Sequence, residues 1–198
     1  MTLNTTTHGL LDLEQTDWRA GLGPGGTKLM IIRHAEKPDS QANIAGVSVA
    51  GATDNNDLTP RGWQRAGALV RFFDPMPQAA LRPGLAVPAA IFAAPATDDN
   101  PSKRPLHTVA PLASDLKLDV QTQFALRQEK LLVAAALDAA ATVLICWHHD
   151  RIPKLAAELG VAIDAWPDGV FDRVLVFDRA GDGWKLSVTL QRLLPGDS

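Results

Sequence analysis

Apolar residues fall in short blocks along the chain, and two periodicities alternate between them. Leu29–Ile32, Ala89–Ala93 and Thr142–Trp147 are near-continuous apolar runs, the pattern of strands buried on both faces. Trp63, Ala66, Leu69, Val70 and Phe73 instead recur at helical spacing. Thr59 is placed to cap that helix, and Pro60 occupies its first position. Further helices are predicted through Thr108, Leu112 and Ala113, over 124–141, and over 153–159, with a short strand at 116–120. Residues 170–178 and 184–193 alternate around Arg179-Ala-Gly-Asp-Gly183, a hairpin signal. Strands alternating with helices predict an α/β fold. The expected form is a three-layer α/β/α sandwich with a mostly parallel central sheet and a C-terminal antiparallel hairpin.

The first strand opens at Lys28, which leaves 1–27 as an N-terminal extension and 28–198 as one domain. Within the extension, Leu10–Arg19 has weak helical periodicity and Gly21–Gly26 reads as a flexible joint. Gly21–Lys28 superficially suggests a nucleotide P-loop. Its order is Gly26-Thr27-Lys28 with a strand following, whereas a P-loop ends Gly-Lys-Ser/Thr and enters a helix. Residues 39–57 form a long polar loop directly after the first strand, a length that points to function.

Composition narrows the class. A net charge of −3 and a pI near 5.9 oppose nucleic-acid binding. The single cysteine, Cys146, excludes an intramolecular disulfide, and its apolar surroundings predict an inert thiol. No apolar stretch reaches transmembrane length and no signal-peptide pattern opens the chain, so a soluble cytoplasmic protein without membrane contact is expected.

Three strand-to-helix junctions carry unusual chemistry: Arg33-His34, Ser102-Lys103-Arg104 and His148-His149-Asp150. In a mostly parallel sheet the strand C-termini share one edge, so these groups converge. Arginine forks match phosphoryl oxygens, and helix N-termini add amide donors. Flanking arginines oppose imidazolium formation, which keeps a histidine there neutral and nucleophilic.

Leu29-Met-Ile-Ile-Arg33-His34-Ala35-Glu36-Lys37-Pro38 resembles the Arg-His-Gly signature of the histidine phosphatase superfamily, the phosphoglycerate mutase-like fold. Leu58-Thr-Pro-Arg-Gly62 is similar to that family's Leu-Thr-x-x-Gly helix. Phe92-Ala-Ala-Pro95 with Arg104 and Thr108 resembles its Ser-Pro…Arg-Ala…Thr-Ala segment, and Val143–His149 its late strand ending in a second histidine. The resemblance implies a phosphatase that hydrolyses a small-molecule or protein phosphate ester through a phosphohistidine on His34. It assigns Arg33 and Arg104 to the phosphoryl oxygens and a late histidine to the transferring group. No metal or other cofactor is implied.

Several departures bear on the site. Ala35 replaces the usual glycine, and the stretch from Pro95 to Arg104 is long, which leaves Lys103 as an alternative cation. Spacing to the following helix favours His148 as the late histidine, whereas family members with Trp-Glu-His align theirs with His149, the choice preferred here. His149-Asp150 resembles the family's His-Asp proton donor, although Asp150 also suits a helix cap. Asp98, Asp99 and Glu129 are lesser candidates for the acid. Lys37 and His148 complete the substrate-binding set, and Glu36 is expected to fix the loop.

Three rival readings stand. A metal hydrolase would use His34, Glu36, His148, His149 and Asp150, but adjacent strand histidines rarely aim at one ion and Arg33 would repel it. A phospho-ligand scaffold without turnover and a phosphomutase are the others.

Overall fold

The computed structural model describes residues 28–197, so the expected N-terminal extension lies outside the described residues. Six strands and four helices alternate: β1 (Lys28–Arg33), α1 (Pro60–Phe73), β2 (Ala90–Ala93), α2 (Arg104–Leu116), β3 (Val120–Gln121), α3 (Glu129–Ala139), β4 (Thr142–Trp147), α4 (Ile152–Glu158), β5 (Arg173–Ala180) and β6 (Gly183–Leu190). They form one sheet in the order β3-β2-β4-β1-β5-β6. The first four strands run parallel, and β5 and β6 add the antiparallel hairpin.

Alternation along the buried strands divides the core into two layers. Leu29 and Ile31 of β1, with Val143, Ile145 and Trp147 of β4, pack against Leu132, Val133 and Ala136 of α3 and Leu155 and Ala156 of α4. Met30, Ile32, Leu144 and Cys146 face Leu69, Phe72 and Phe73 of α1 and Val109, Leu112 and Ala113 of α2. The predicted three-layer α/β/α sandwich is the observed architecture. Cys146 is fully buried, and burial pushes its thiol pKa up. Among the described residues no helix is long and apolar enough to cross a membrane.

Several boundaries differ from expectation. The predicted strand at 116–120 starts only at Val120, because α2 continues to Leu116 and ends at Lys117 in a left-handed conformation, φ 57°. The helix predicted over 124–141 is shorter, Glu129–Ala139. The strand predicted from 170 begins at Arg173, because a turn bonding Val170 N–H to the Pro167 carbonyl occupies the preceding residues. In α1, Arg65 is buried while Val70 is only half-buried.

Candidate active site

Parallel pairing of β1 with β4 puts Arg33 opposite Trp147, and the next residue of each chain is a histidine. Trp147 faces the α3/α4 core, so alternation turns His148 to the α1/α2 side, where His34 also lies. The two rings meet edge to face with centroids 5.3 Å apart. His149 turns the other way and comes within 3.3 Å of Asp168. The preference for His149 as the histidine facing His34 is therefore corrected: His148 is the one beside it.

His34 is held from three directions. Its N–H donates to the Trp147 carbonyl, 3.1 Å, and its Nδ1 lies 2.7 Å from the Ala35 carbonyl. A carbonyl only accepts, so Nδ1 carries the proton and Nε2 carries the lone pair. The Ala35 N–H donates to Thr108 Oγ1, 2.8 Å, and that hydroxyl donates to the Arg104 carbonyl, 2.7 Å. Thr108 thus ties the loop after β1 to the first turn of α2.

The start of α1 clamps the same loop. The Thr59 N–H donates to the Glu36 carbonyl, 3.0 Å, while Thr59 Oγ1 caps α1 by accepting from Gly62 N–H, 3.1 Å. At Gly62 a Cβ would lie 2.7 Å from the Glu36 carbonyl oxygen. Only glycine lets the helix approach this closely. The Glu36 carboxylate accepts from Arg61 (3.1 Å) and from Arg65 (2.8 Å), and Arg65 also donates to Asp197, 2.7 Å. Glu36 fixes the loop, as expected.

Electrostatics favour neutral imidazoles. Burial holds the His34 pKa well below its ordinary value, with His148, Arg104 and Arg33 acting in the same direction. Burial, then Arg104, brings His148 down to about 4. Asn100 Nδ2 lies 3.3 Å from His148 Nε2, an interaction carried by the long 95–103 insertion. The same segment contains Ser102, whose buried hydroxyl has no hydrogen-bond partner, and α2 opens with Arg104, whose buried Nε has none. Lys103 points elsewhere, pairing with Asp54 at 2.8 Å, whereas the charge of its neighbour Arg104 lowers the pKa of both histidines.

The remaining candidates separate. Arg33 lies on the His149 side, where its guanidinium donates to the backbone carbonyls of Pro167, Asp168 and Val170 and stacks at 3.9 Å on Phe171. Lys37 pairs with Asp168 at 2.8 Å. Asp150 is exposed in a turn and is not the helix cap, which is Arg151. Its charge raises the pKa of both late histidines against the stronger effect of burial. Asp98 and Asp99 are exposed, and Glu129 is paired with Arg151 at 2.7 Å. Among the described residues no three His, Cys, Asp or Glu side chains gather in a group suited to a metal ion. His107 bonds to Asp57 (2.7 Å) and packs on Trp63.

Sequence reasoning missed Asn100, Asp168 and Phe171. Asp168-Gly169 carries an ordinary turn signal, but nothing local ties it to Arg33, 135 residues earlier.

No family model matches the chain, and no curated protein matches it. Solved structures do match. The protein histidine phosphatase SixA, complexed with tungstate, superposes with a TM-score of 0.52 at 14% identity, covering 83% of this chain and 97% of that one. The fold is that of the histidine phosphatases. A mutant phosphoserine phosphatase from Entamoeba histolytica in complex with phosphoserine gives 0.53 at 14% identity, over 85% and 99% of the two chains. A mycobacterial glucosyl-3-phosphoglycerate phosphatase complexed with VO3 also gives 0.53 at 14% identity, over 83% and 99%. At this identity the likeness is one of fold.

Proposed function

We propose that the protein is a phosphatase that hydrolyses a phosphate monoester through a phosphohistidine on His34. The observation that carries this reading is the fixed tautomer of a buried, neutral His34, with Nδ1 donating to Ala35 and Nε2 left as the nucleophile. Nε2 attacks phosphorus, the P–N bond forms, and the ester P–O bond breaks with its electron pair leaving on the alcohol oxygen, which takes up a proton from solvent. Water then attacks phosphorus, inorganic phosphate departs, and the P–N electron pair returns to Nε2.

Arg104 Nε and the Ser102 hydroxyl, buried donors lacking acceptors, suit the phosphoryl oxygens, while Arg104 Nη1 is held by the Asn55 carbonyl at 3.2 Å. His148 enters neutral; a phosphoryl dianion beside it favours the imidazolium, which then donates to the transferring group. Arg33 adds positive potential from the far side of β1. These parts supply positioning and charge stabilisation, the main requirements of phosphoryl transfer.

The test is turnover of phenyl phosphate by the full chain. A loss of about 10³-fold or more in His34→Ala supports the reading. A wild-type protein that binds phosphate but turns over no ester would instead favour a phospho-ligand scaffold.

A further inference from the structure

Residues 54–57, the last turn of the long loop after β1, bond one after another to the start of α2. The Asn56 carbonyl accepts from Lys103 N–H at 2.8 Å, and the Asn55 carbonyl accepts from Arg104 Nη1 at 3.2 Å. Asp54 pairs with Lys103 at 2.8 Å, and Asp57 Oδ1 lies 2.7 Å from His107 Nδ1. The two side-chain links differ in weight. Lys103 is exposed, and a solvent-facing pair contributes little. The Asp57 side chain, by contrast, is 1% exposed and that of His107 20%. A carboxylate oxygen accepts, so His107 Nδ1 donates. The same Oδ1 accepts from Leu58 N–H at 2.8 Å, while Oδ2 is buried with no hydrogen-bond partner among the described residues. Trp63 packs on the His107 ring and donates from Nε1 to the Val47 carbonyl at 2.7 Å, which fixes the other limb of the loop. A carboxylate taken this far out of water is costly, and the chemistry described above uses neither Asp57 nor His107.

We propose that Asp57 and His107 are positioning residues for Arg104: their buried bond locks the 54–57 turn against α2, so that the Asn55 carbonyl holds Nη1 and the opposite Nε–Nη2 edge is aimed at phosphate. This role rests on the phosphatase reading above, which gives Arg104 the phosphoryl oxygens. A guanidinium is planar and rigid. Anchoring one terminal nitrogen therefore fixes the direction of the other two, and Nε, buried without an acceptor, is a donor left for the ligand. Asp57 also acts through its charge. Burial lowers the Arg104 pKa, and Asp57, then Asp54, works against that effect. The backbone of Arg104 is secured separately, by Thr108 Oγ1 donating to its carbonyl at 2.7 Å. Helix and loop thus hold the two ends of one arginine.

Isothermal titration of the full chain with inorganic phosphate tests this role without turnover. His107→Leu keeps bulk but cannot donate, and is expected to weaken phosphate binding about tenfold. His107→Gln can still donate to Oδ1 and should recover most of that loss. Arg104→Lys keeps the charge without the fork. In that background His107→Leu should change affinity by about twofold or less, because no guanidinium remains to be aimed. A histidine that only stabilises the fold would lose the same factor in both backgrounds. That result overturns the proposal, as does unchanged affinity in His107→Leu or a failure of His107→Gln to recover it. If His107→Leu does not fold, Asp57→Asn, the same shape without the charge, enters the same cycle with the same expected factors. Where phosphate binding is too weak to measure, kcat/KM on phenyl phosphate carries those factors instead. Binding that follows the pattern without any ester turnover keeps the positioning role and removes the phosphatase. Turnover that depends on His34, with equal losses in both backgrounds, removes the positioning role alone; neither binding nor turnover removes both.

Discussion

His34 and His148 lie edge to face, 5.3 Å between ring centroids, because each follows the last residue of one of two paired parallel strands. Trp147 commits β4 to a register in which His148 faces His34 and His149 faces Asp168. The two adjacent histidines therefore have separable roles. His148→Gln is expected to lower kcat/KM on phenyl phosphate by about 10²-fold, and His149→Gln by much less, since its ring turns to Asp168 rather than to His34. Steady-state kinetics on both variants checks this, and a larger loss in His149→Gln would contradict the assignment.

The buried imidazoles should also make stability fall in acid. Burial holds His148 at about 4 against an ordinary 6.5, and lowers His34 in the same direction. Below pH 6.5 the unfolded chain takes up protons that the folded chain does not, so stability drops as pH falls through this window, and the His148 share levels off below about 4. For His148 alone the effect is up to about 3 kcal/mol. Urea unfolding from pH 7 to pH 4 should show a shallower decline in His148→Gln than in the wild type. For the same reason kcat/KM should stay level as pH falls past 6.5 and then decline as His34 takes up its proton.

Two glycines of α1 provide a contrast in packing. An added Cβ at Gly62 meets the Glu36 backbone at 2.7 and 3.1 Å, whereas at Gly67 it meets nothing within 4 Å. Gly62→Ala is expected to cost about 1–3 kcal/mol and to displace the loop that carries His34, lowering turnover as well. Gly67→Ala should raise stability by up to about 1 kcal/mol through helix propensity. Denaturant unfolding of the two variants gives opposite signs if the close approach at Gly62 is real.

Legibility in the sequence followed the range of the interactions. β1, β2 and β4 announce themselves as short apolar runs, and Thr59-Pro60 announces the start of α1, because these signals are local. The orientation of His148 is legible too, by counting alternation from Trp147, a local rule that outweighs the family likeness pointing to His149. Arg65 and Asp168 were not legible. Their partners lie 132 and 135 residues away, and a buried arginine on an amphipathic helix looks like any surface arginine until the chain has folded. The 170–172 stretch alternates like a strand, yet a turn at Pro167–Val170 leaves it as loop.

A phosphoenzyme on His34 is the most direct measure of the proposed chemistry. Wild-type protein mixed briefly with phenyl phosphate, quenched under alkaline conditions that preserve phosphohistidine and mapped by mass spectrometry, should carry one phosphoryl group, on His34. The label should be absent in His34→Ala. A phosphoryl group on any other residue, or turnover that persists with His34 removed, would contradict a nucleophilic role for His34.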